Sequence, residues 1–264
     1  MRVRVVLATA MAALAAAFFI PTSASAAGSG AIHPGVMTHT AGAQCTANFI
    51  FKNGSDTYIG QAAHCAGTGA STDTNGCTAA SLPLGTPVTV DGASKPGTLV
   101  YSSWLTMQAN HETDADACAY NDIGLVKLDP ADAGNVDPSV PFFGGPTGVA
   151  SSTQGAGAKV YSYGNSELRL GLSPLSPKFG IVVQDSAGGW SHNVYTLTPG
   201  IPGDSGSAFL DSSGKALGVL STLEFAPLAG SNNVSDLSHM IAYAQSHGLP
   251  GLTLVTGGAF SSII

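Results

Sequence analysis

The stretch Gly203-Asp204-Ser205-Gly206-Ser207 constrains the fold more than any other part of the chain. A serine hydroxyl is a poor nucleophile at neutral pH. It needs a base to take its proton, a carboxylate to orient that base, and donors to hold a developing oxyanion. Candidates for the first two lie far upstream: His64 in Gln61-Ala62-Ala63-His64-Cys65 and Asp122 in Asn121-Asp122-Ile123-Gly124-Leu125. Any fold that uses the serine must gather three separate stretches at one point. Taken singly, a histidine or an aspartate at a strand start is an ordinary core or turn residue. The ordered conjunction of His64, Asp122 and Ser205, each beside a strand or turn, carries the weight.

The rest of the chain reads as short strands. Apolar runs at 47–51 and 57–61 flank Lys52-Asn53-Gly54-Ser55, where Asn-Gly predicts a tight hairpin with positive φ at both central residues. The second run leads straight into His64 and places it at a strand end. A small-residue loop, 68–87, carries Cys77. Further strands are expected at 87–90, 97–103 and 123–128, then at 159–163, 179–184, 194–197, 207–210 and 216–220. Regular short strands with turn signals between them predict all-β sandwich or barrel packing. One segment reads as a helix, residues 234–247, with Val234, Leu237, Ile241 and Ala244 at spacings of three and four. Asn233 is its expected cap, Gly248 its stop and Pro250 a terminator. The Asp-, Pro- and Gly-rich stretch 129–148 is the best linker. The tail from Leu249 is uncharged and strand-like, without an assigned place.

The start of the chain reads as a secretory leader. Arg2 and Arg4 precede an apolar run over 5–20, and Ala24-Ser25-Ala26 offers small residues for cleavage after Ala26. The run falls short of the roughly 20 residues a membrane span needs, so no membrane anchor is expected. Charged residues are scarce, and the net charge of −7 becomes more negative once Arg2 and Arg4 are removed. Without a basic stripe, a nucleic-acid partner is not expected. Four cysteines, Cys45, Cys65, Cys77 and Cys118, read in an exported chain as two disulfides with three pairings open. A zinc site at His64–Cys65 is the competing reading, but no Cys-x-x-Cys cluster supports a metal, and no cofactor motif is present.

The order His, Asp, Ser and the missing final glycine of a Gly-x-Ser-x-Gly elbow disfavour an α/β-hydrolase, whose histidine comes last. The three motifs instead resemble those of chymotrypsin-like (trypsin-like) serine proteases, in a secreted bacterial type. Gln61-Ala62-Ala63-His64-Cys65 is similar to their Thr-Ala-Ala-His-Cys, residues 121–128 to their Asn-Asp-Ile-Ala-Leu-Leu-Lys-Leu, and residues 203–207 to their Gly-Asp-Ser-Gly-Gly. The resemblance runs from about Cys45 to His247. It implies two antiparallel six-stranded β-barrels with the site in the cleft between them and a C-terminal α-helix. The organisation expected is a leader (1–26), an N-terminal segment (27–44), a first barrel (45–135), a second barrel with the helix (136–247) and a tail (248–264). It also implies a monomeric peptidase acting on a polypeptide substrate. Ser205 would attack, His64 would move the proton, Asp122 would orient His64, and the N–H groups of Gly203 and Ser205 would form an oxyanion hole. Ser221, in Gly218-Val219-Leu220-Ser221, would support Asp122. Cys45–Cys65 is the pairing the family implies, which leaves Cys77 with Cys118 by parity. Two rival readings use the same scaffold: a silent binding or adhesion module, and a secreted esterase.

Three departures matter. Ile201 stands where the family commonly has a cysteine four residues before the nucleophile, so the loop 198–202 lacks that staple. Pro199 stands at the pocket floor, and Thr222-Leu223 replace an aromatic-glycine pair, so cleavage after Arg or Lys is not supported. Asp204 would pair in the family with an amino terminus freed by cleavage. Ala27, or Ile32 after trimming, is the expected source of that amine.

Overall fold

Alternating burial along short β-branched and aromatic runs is what a half-buried strand requires, and these runs build two antiparallel sheets. The computed structural model describes residues 30–186, 188–224 and 229–262; the expected leader lies outside them. In the first half run β1 (Met37–Thr40), β2 (Ala43–Thr46), β3 (Ile50–Asn53), β4 (Asp56–Gln61), β5 (Pro87–Val90), β6 (Gly97–Ser102) and β7 (Gly124–Lys127). The second half holds β8 (Lys159–Tyr163), β9 (Pro177–Asp185), β10 (Ser191–Thr196), β11 (Ala208–Leu210), β12 (Ala216–Glu224) and β13 (Ser231–Asp236). A last strand, β14 (Thr253–Leu254), comes from the tail.

Strands β8–β13 close into a six-stranded barrel in the order β10-β13-β12-β11-β8-β9. The first half differs from the six-stranded barrel expected there. It is an eight-stranded ladder, β14-β3-β4-β7-β6-β5-β1-β2, with no pairing between its ends among the described residues. The extra strands have a physical reason. An unpaired sheet edge leaves a row of backbone donors and acceptors open, and the tail covers that of β3 by pairing Leu254 with Phe51 and Thr253 with Lys52.

The β3–β4 hairpin forms, with Asn53 opposite Asp56. Its turn is Gly54-Ser55, and only Gly54 adopts positive φ (+61°). The C-terminal helix, α3 (Leu237–Ser246), begins three residues later than expected. Val234 is buried inside the barrel, and Asn233 belongs to β13. The cap is Asp236, whose carboxylate accepts from the His239 N–H. Two helices were not foreseen: α1 (Ser103–Ala109), capped by Ser102, and α2 (Ala115–Tyr120), capped by Asp114. At about two turns each they are too short to show a period. Among the described residues no helix is long and apolar enough to cross a membrane.

One continuous core joins the two halves. Phe49, Phe51 and Leu125 from the first sheet share it with Leu210 and Val219 from the barrel and with Leu237 and Met240 of α3. Each such side chain contributes about 1.5–3 kcal/mol by leaving water. Cys45 is bonded to Cys65, and Cys77 to Cys118. The first bond ties β2 to the turn that follows β4; the second ties the long loop to α2.

A polar cluster braces the barrel against α3. His192 on β10 is fully buried, with Nδ1 2.7 Å from Asp185 Oδ1 and Nε2 3.1 Å from Asp236 Oδ2. Asp236 Oδ1 is also 2.8 Å from His239 Nδ1. Burial pushes the pKa of His192 down, but hydrogen bonds to Asp236 and Asp185 and their charge outweigh it and leave it raised. A raised histidine stabilises fully below its unfolded value, and that contribution is lost as pH climbs through the folded value. His192→Gln is therefore expected to lower the urea midpoint at pH 6, and the gap to wild type should narrow as pH is raised to 9.

Candidate active site

The three separated residues meet at a groove between the sheets. His64 sits in a single 3-10 turn, Ala63–Ala66, at the end of β4, and the Cys45–Cys65 bond anchors the next residue. Asp122 is buried between α2 and β7. Its Oδ2 lies 2.7 Å from His64 Nδ1 and accepts from Ser221 Oγ at 2.6 Å, while Oδ1 accepts from the His64 backbone N–H at 2.9 Å. The carboxylate thus holds the imidazole by ring and by backbone, and Nε2 has no hydrogen-bond partner among the described residues. Trp104 of α1 packs near the imidazole, ring centroids 6.5 Å apart.

Burial raises the pKa of Asp122, but the charge of His64 and hydrogen bonds from His64 and Ser221 hold it below the usual carboxylate range. Burial pushes the pKa of His64 down; the Asp122 charge and hydrogen bond outweigh it, leaving the imidazole above its ordinary 6.5.

Ser205 lines the same groove, of about 630 Å³, with His64. No hydrogen bond joins its hydroxyl to the imidazole among the described residues; such bonds commonly tighten only when substrate arrives. The Ser205 carbonyl accepts from the Thr46 N–H at 2.8 Å, and the Gly206 N–H donates to Leu220 at 2.7 Å, so the turn is fastened to β2 and β12.

The loop that leads to Ser205 is held carbonyl by carbonyl. Lys178 Nζ donates to the carbonyls of Thr198 (3.1 Å) and Pro199 (3.3 Å). Asn232 takes Gly200, and the Asp204 N–H donates to Ile201 at 2.9 Å. Ser166 Oγ donates to Pro202 at 2.5 Å, and Gln44 and Thr46 donate to Gly203 at 3.1 and 2.8 Å. Because the Pro202 carbonyl is turned toward Ser166, the N–H of Gly203 on the same peptide faces the opposite way, as a planar trans peptide demands. Gly203 has φ +93°, and a Cβ there would fall 2.2 Å from Gln44 Oε1, so only glycine fits. Side chains therefore fasten the loop that lacks the cysteine staple.

Asp204 meets two cations from within the chain. Its Oδ2 is paired with Arg169 and lies 2.9 Å from Lys178 Nζ, and it accepts from the Ile201 N–H at 3.1 Å. Arg169, Lys178 and Asp204 are all buried. Burial pushes the Lys178 pKa down, offset in part by Asp204. Two side-chain cations thus engage Asp204 Oδ2, while Oδ1 has no hydrogen-bond partner among the described residues. Ile32 is a buried residue within the chain whose N–H donates to Asn135, and Ala27 lies outside the described residues. Sequence reasoning missed Arg169, though it left one signal: it is the only arginine after Arg4.

Of the residues read as a specificity pocket, Thr222 and Leu223 line the groove, together with Gly200, Leu220 and Asn232. Pro199 is not among the lining residues, and its carbonyl accepts from Lys178 Nζ.

No protein-family model and no curated protein matches the chain. Solved structures do. Protease A of Thermobifida fusca is 21% identical, with a TM-score of 0.53 over 86% of this chain and 99% of that one. A glutamic acid specific serine protease, described as using a histidine triad in substrate binding, is 17% identical, with a TM-score of 0.54 over 85% and 100%. Cellulomonas bogoriensis chymotrypsin is 16% identical, with a TM-score of 0.50 over 85% and 98%. The chain has the chymotrypsin-like serine protease fold.

Asp204→Asn would leave two buried cations without their counter-charge. It is expected to destabilise the protein by about 3–5 kcal/mol, read as a lowered denaturation midpoint with an unchanged slope.

Proposed function

We propose that the chain is a secreted serine endopeptidase. The observation that carries this reading is the Asp122 carboxylate, which binds His64 Nδ1 at 2.7 Å and Ser221 Oγ at 2.6 Å on a groove that Ser205 also lines. Ser205 Oγ attacks the scissile carbonyl carbon while His64 Nε2 takes its proton; the carbonyl π pair moves to oxygen. The oxyanion is held by the N–H groups of Gly203 and Ser205, each worth roughly 3–4 kcal/mol. Collapse expels the amine, which leaves with the proton from His64. Water, deprotonated by the same imidazole, then releases the acyl group. Asp122 fixes the tautomer and stabilises the imidazolium. Ser166 acts at one remove, by keeping the Pro202 carbonyl turned out of the oxyanion site. Export is supported by the leader-like residues 1–26 and by the two disulfides.

The test is labelling with a small fluorophosphonate, which needs an activated serine and no particular pocket. Wild type is expected to label, and Ser205→Ala to stay unlabelled. Turnover of peptide substrates should fall on the order of 10⁴-fold or more in that variant. The base must be neutral to work, and its pKa is raised above 6.5. The labelling rate should therefore climb with pH through an apparent pKa above that value. A folded wild type that does not label removes the peptidase reading.

A further inference from the structure

In an antiparallel sheet with one face on a core, the residues that alternate to the other face are ordinarily polar. On β8, β9 and β10 the inward set is as expected, with Val160, Val182 and Val194 buried together. The outward set is not polar. Strand pairing aligns it in two rows across three neighbouring strands. Tyr161 stands opposite Phe179, and Leu197 comes next in that row, since its N–H donates to the Phe179 carbonyl at 3.1 Å. Lys159, Ile181 and Tyr195 make the second row. Tyr161 is covered by Phe143 and Phe260, each ring centroid 5.4 Å from its own, whereas Ile181, Tyr195 and Leu197 are exposed. These side chains, with Gly180 between the rows, line a hollow of about 330 Å³. No residue lines both this hollow and the groove that holds Ser205.

We propose that this hollow on the outer barrel face binds a fatty-acid-like ligand, an alkyl chain that ends in a carboxylate. Small-molecule sites combine mostly apolar and aromatic walls with a few placed polar groups, and the hollow has the size of the smaller ones. Its walls suit the chain. Three aromatic and two aliphatic side chains stand side by side, and a contiguous exposed apolar patch of this kind marks a binding surface. The one charged wall residue suits the head. Lys95, Lys127 and Lys178 each meet a carboxylate, whereas Lys159 has no ion-pair partner among the described residues. Lys159 is exposed at the corner of the grid. A carboxylate held there stays in water while its tail leaves it, so neither charge pays the cost of burial. The net charge of −7 draws cations, not anions, to the protein as a whole. A preference for an anionic amphiphile would therefore have a local cause. The proposal uses no residue of the Ser205 groove and stands apart from the peptidase reading.

The experiment titrates decanoate, butanoate and decyltrimethylammonium, each below its micelle concentration, into isotope-labelled protein followed by NMR. Decanoate is expected to shift the amides of 179–181 and 195–197 saturably. It should bind about 10-fold or more tightly than butanoate, given what each buried methylene contributes, and more tightly than the cation. Ile181→Asp and Leu197→Asp alter exposed positions, so the denaturation midpoint should hold while decanoate binding is lost. Lys159→Gln should keep binding of the chain and lose the preference for the anion. If decanoate gives no saturable shifts at these amides, or the shifts survive both aspartate variants, the site is overturned. A wild type that binds decyltrimethylammonium as tightly as decanoate overturns the carboxylate. Broadening of the same amides with protein concentration alone, removed by Ile181→Asp, would give this face to a second copy of the chain and likewise overturn the proposal.

Discussion

The site depends on one buried carboxylate, Asp204, and the two cations that hold it. Taking three charges out of water is costly, and the pairing is favourable only with close geometry and further hydrogen bonds. Arg169, Lys178 and the Ile201 N–H supply these at Asp204 Oδ2. Arg169 ends the short 3-10 turn that Ser166 caps, and Lys178 lies on β9. The pair thus fixes the loop before Ser205 to two places in the closed barrel. Ser166, Lys178, Asn232, Gln44 and Thr46 then engage the carbonyls of that loop from Thr198 to Gly203, apart from Ile201, which is bonded within the loop. In the proposed mechanism, the N–H groups of Gly203 and Ser205 are then the donors offered to the oxyanion.

The first sheet provides the other half of the proposed chemistry, and the continuous core joins it to the barrel. His64 and Asp122 sit at the ends of neighbouring strands, since β4 pairs with β7 from Gln61–Gly124 outward. Ser221 reaches Asp122 from β12 in the barrel. Asp122 is therefore a joint between the halves as well as the partner of the imidazole. The charge of His64, with hydrogen bonds from His64 and Ser221, holds the carboxylate below the usual range despite burial.

Much of this was legible in the residues. The order His64, Asp122, Ser205 and the glycines at 203 and 206 marked the candidate site, because nucleophile chemistry narrows the residue types so sharply. Strand existence was readable from alternation and turn residues, while strand limits were not. Val234 looked helical by spacing yet belongs to β13, because burial inside the barrel overrides a local period. The eight-stranded ladder was hidden because β1, β2 and β14 are only two to four residues long. Asn232, Ser166 and Lys178 were invisible for another reason. Their roles come from contacts 20 to 36 residues away in sequence, and nothing in their neighbours announces them.

The most direct test of the central claim is whether turnover depends on a free amino terminus. Peptide kcat/KM would be compared for the chain beginning at Ala27 and for the same chain carrying a blocked extension ahead of it. If Arg169 and Lys178 hold Asp204, the two proteins have the same kcat/KM. Activity confined to the form with a free Ala27 would contradict the account, because it would mean that an amine, and not this pair of cations, shapes the oxyanion site.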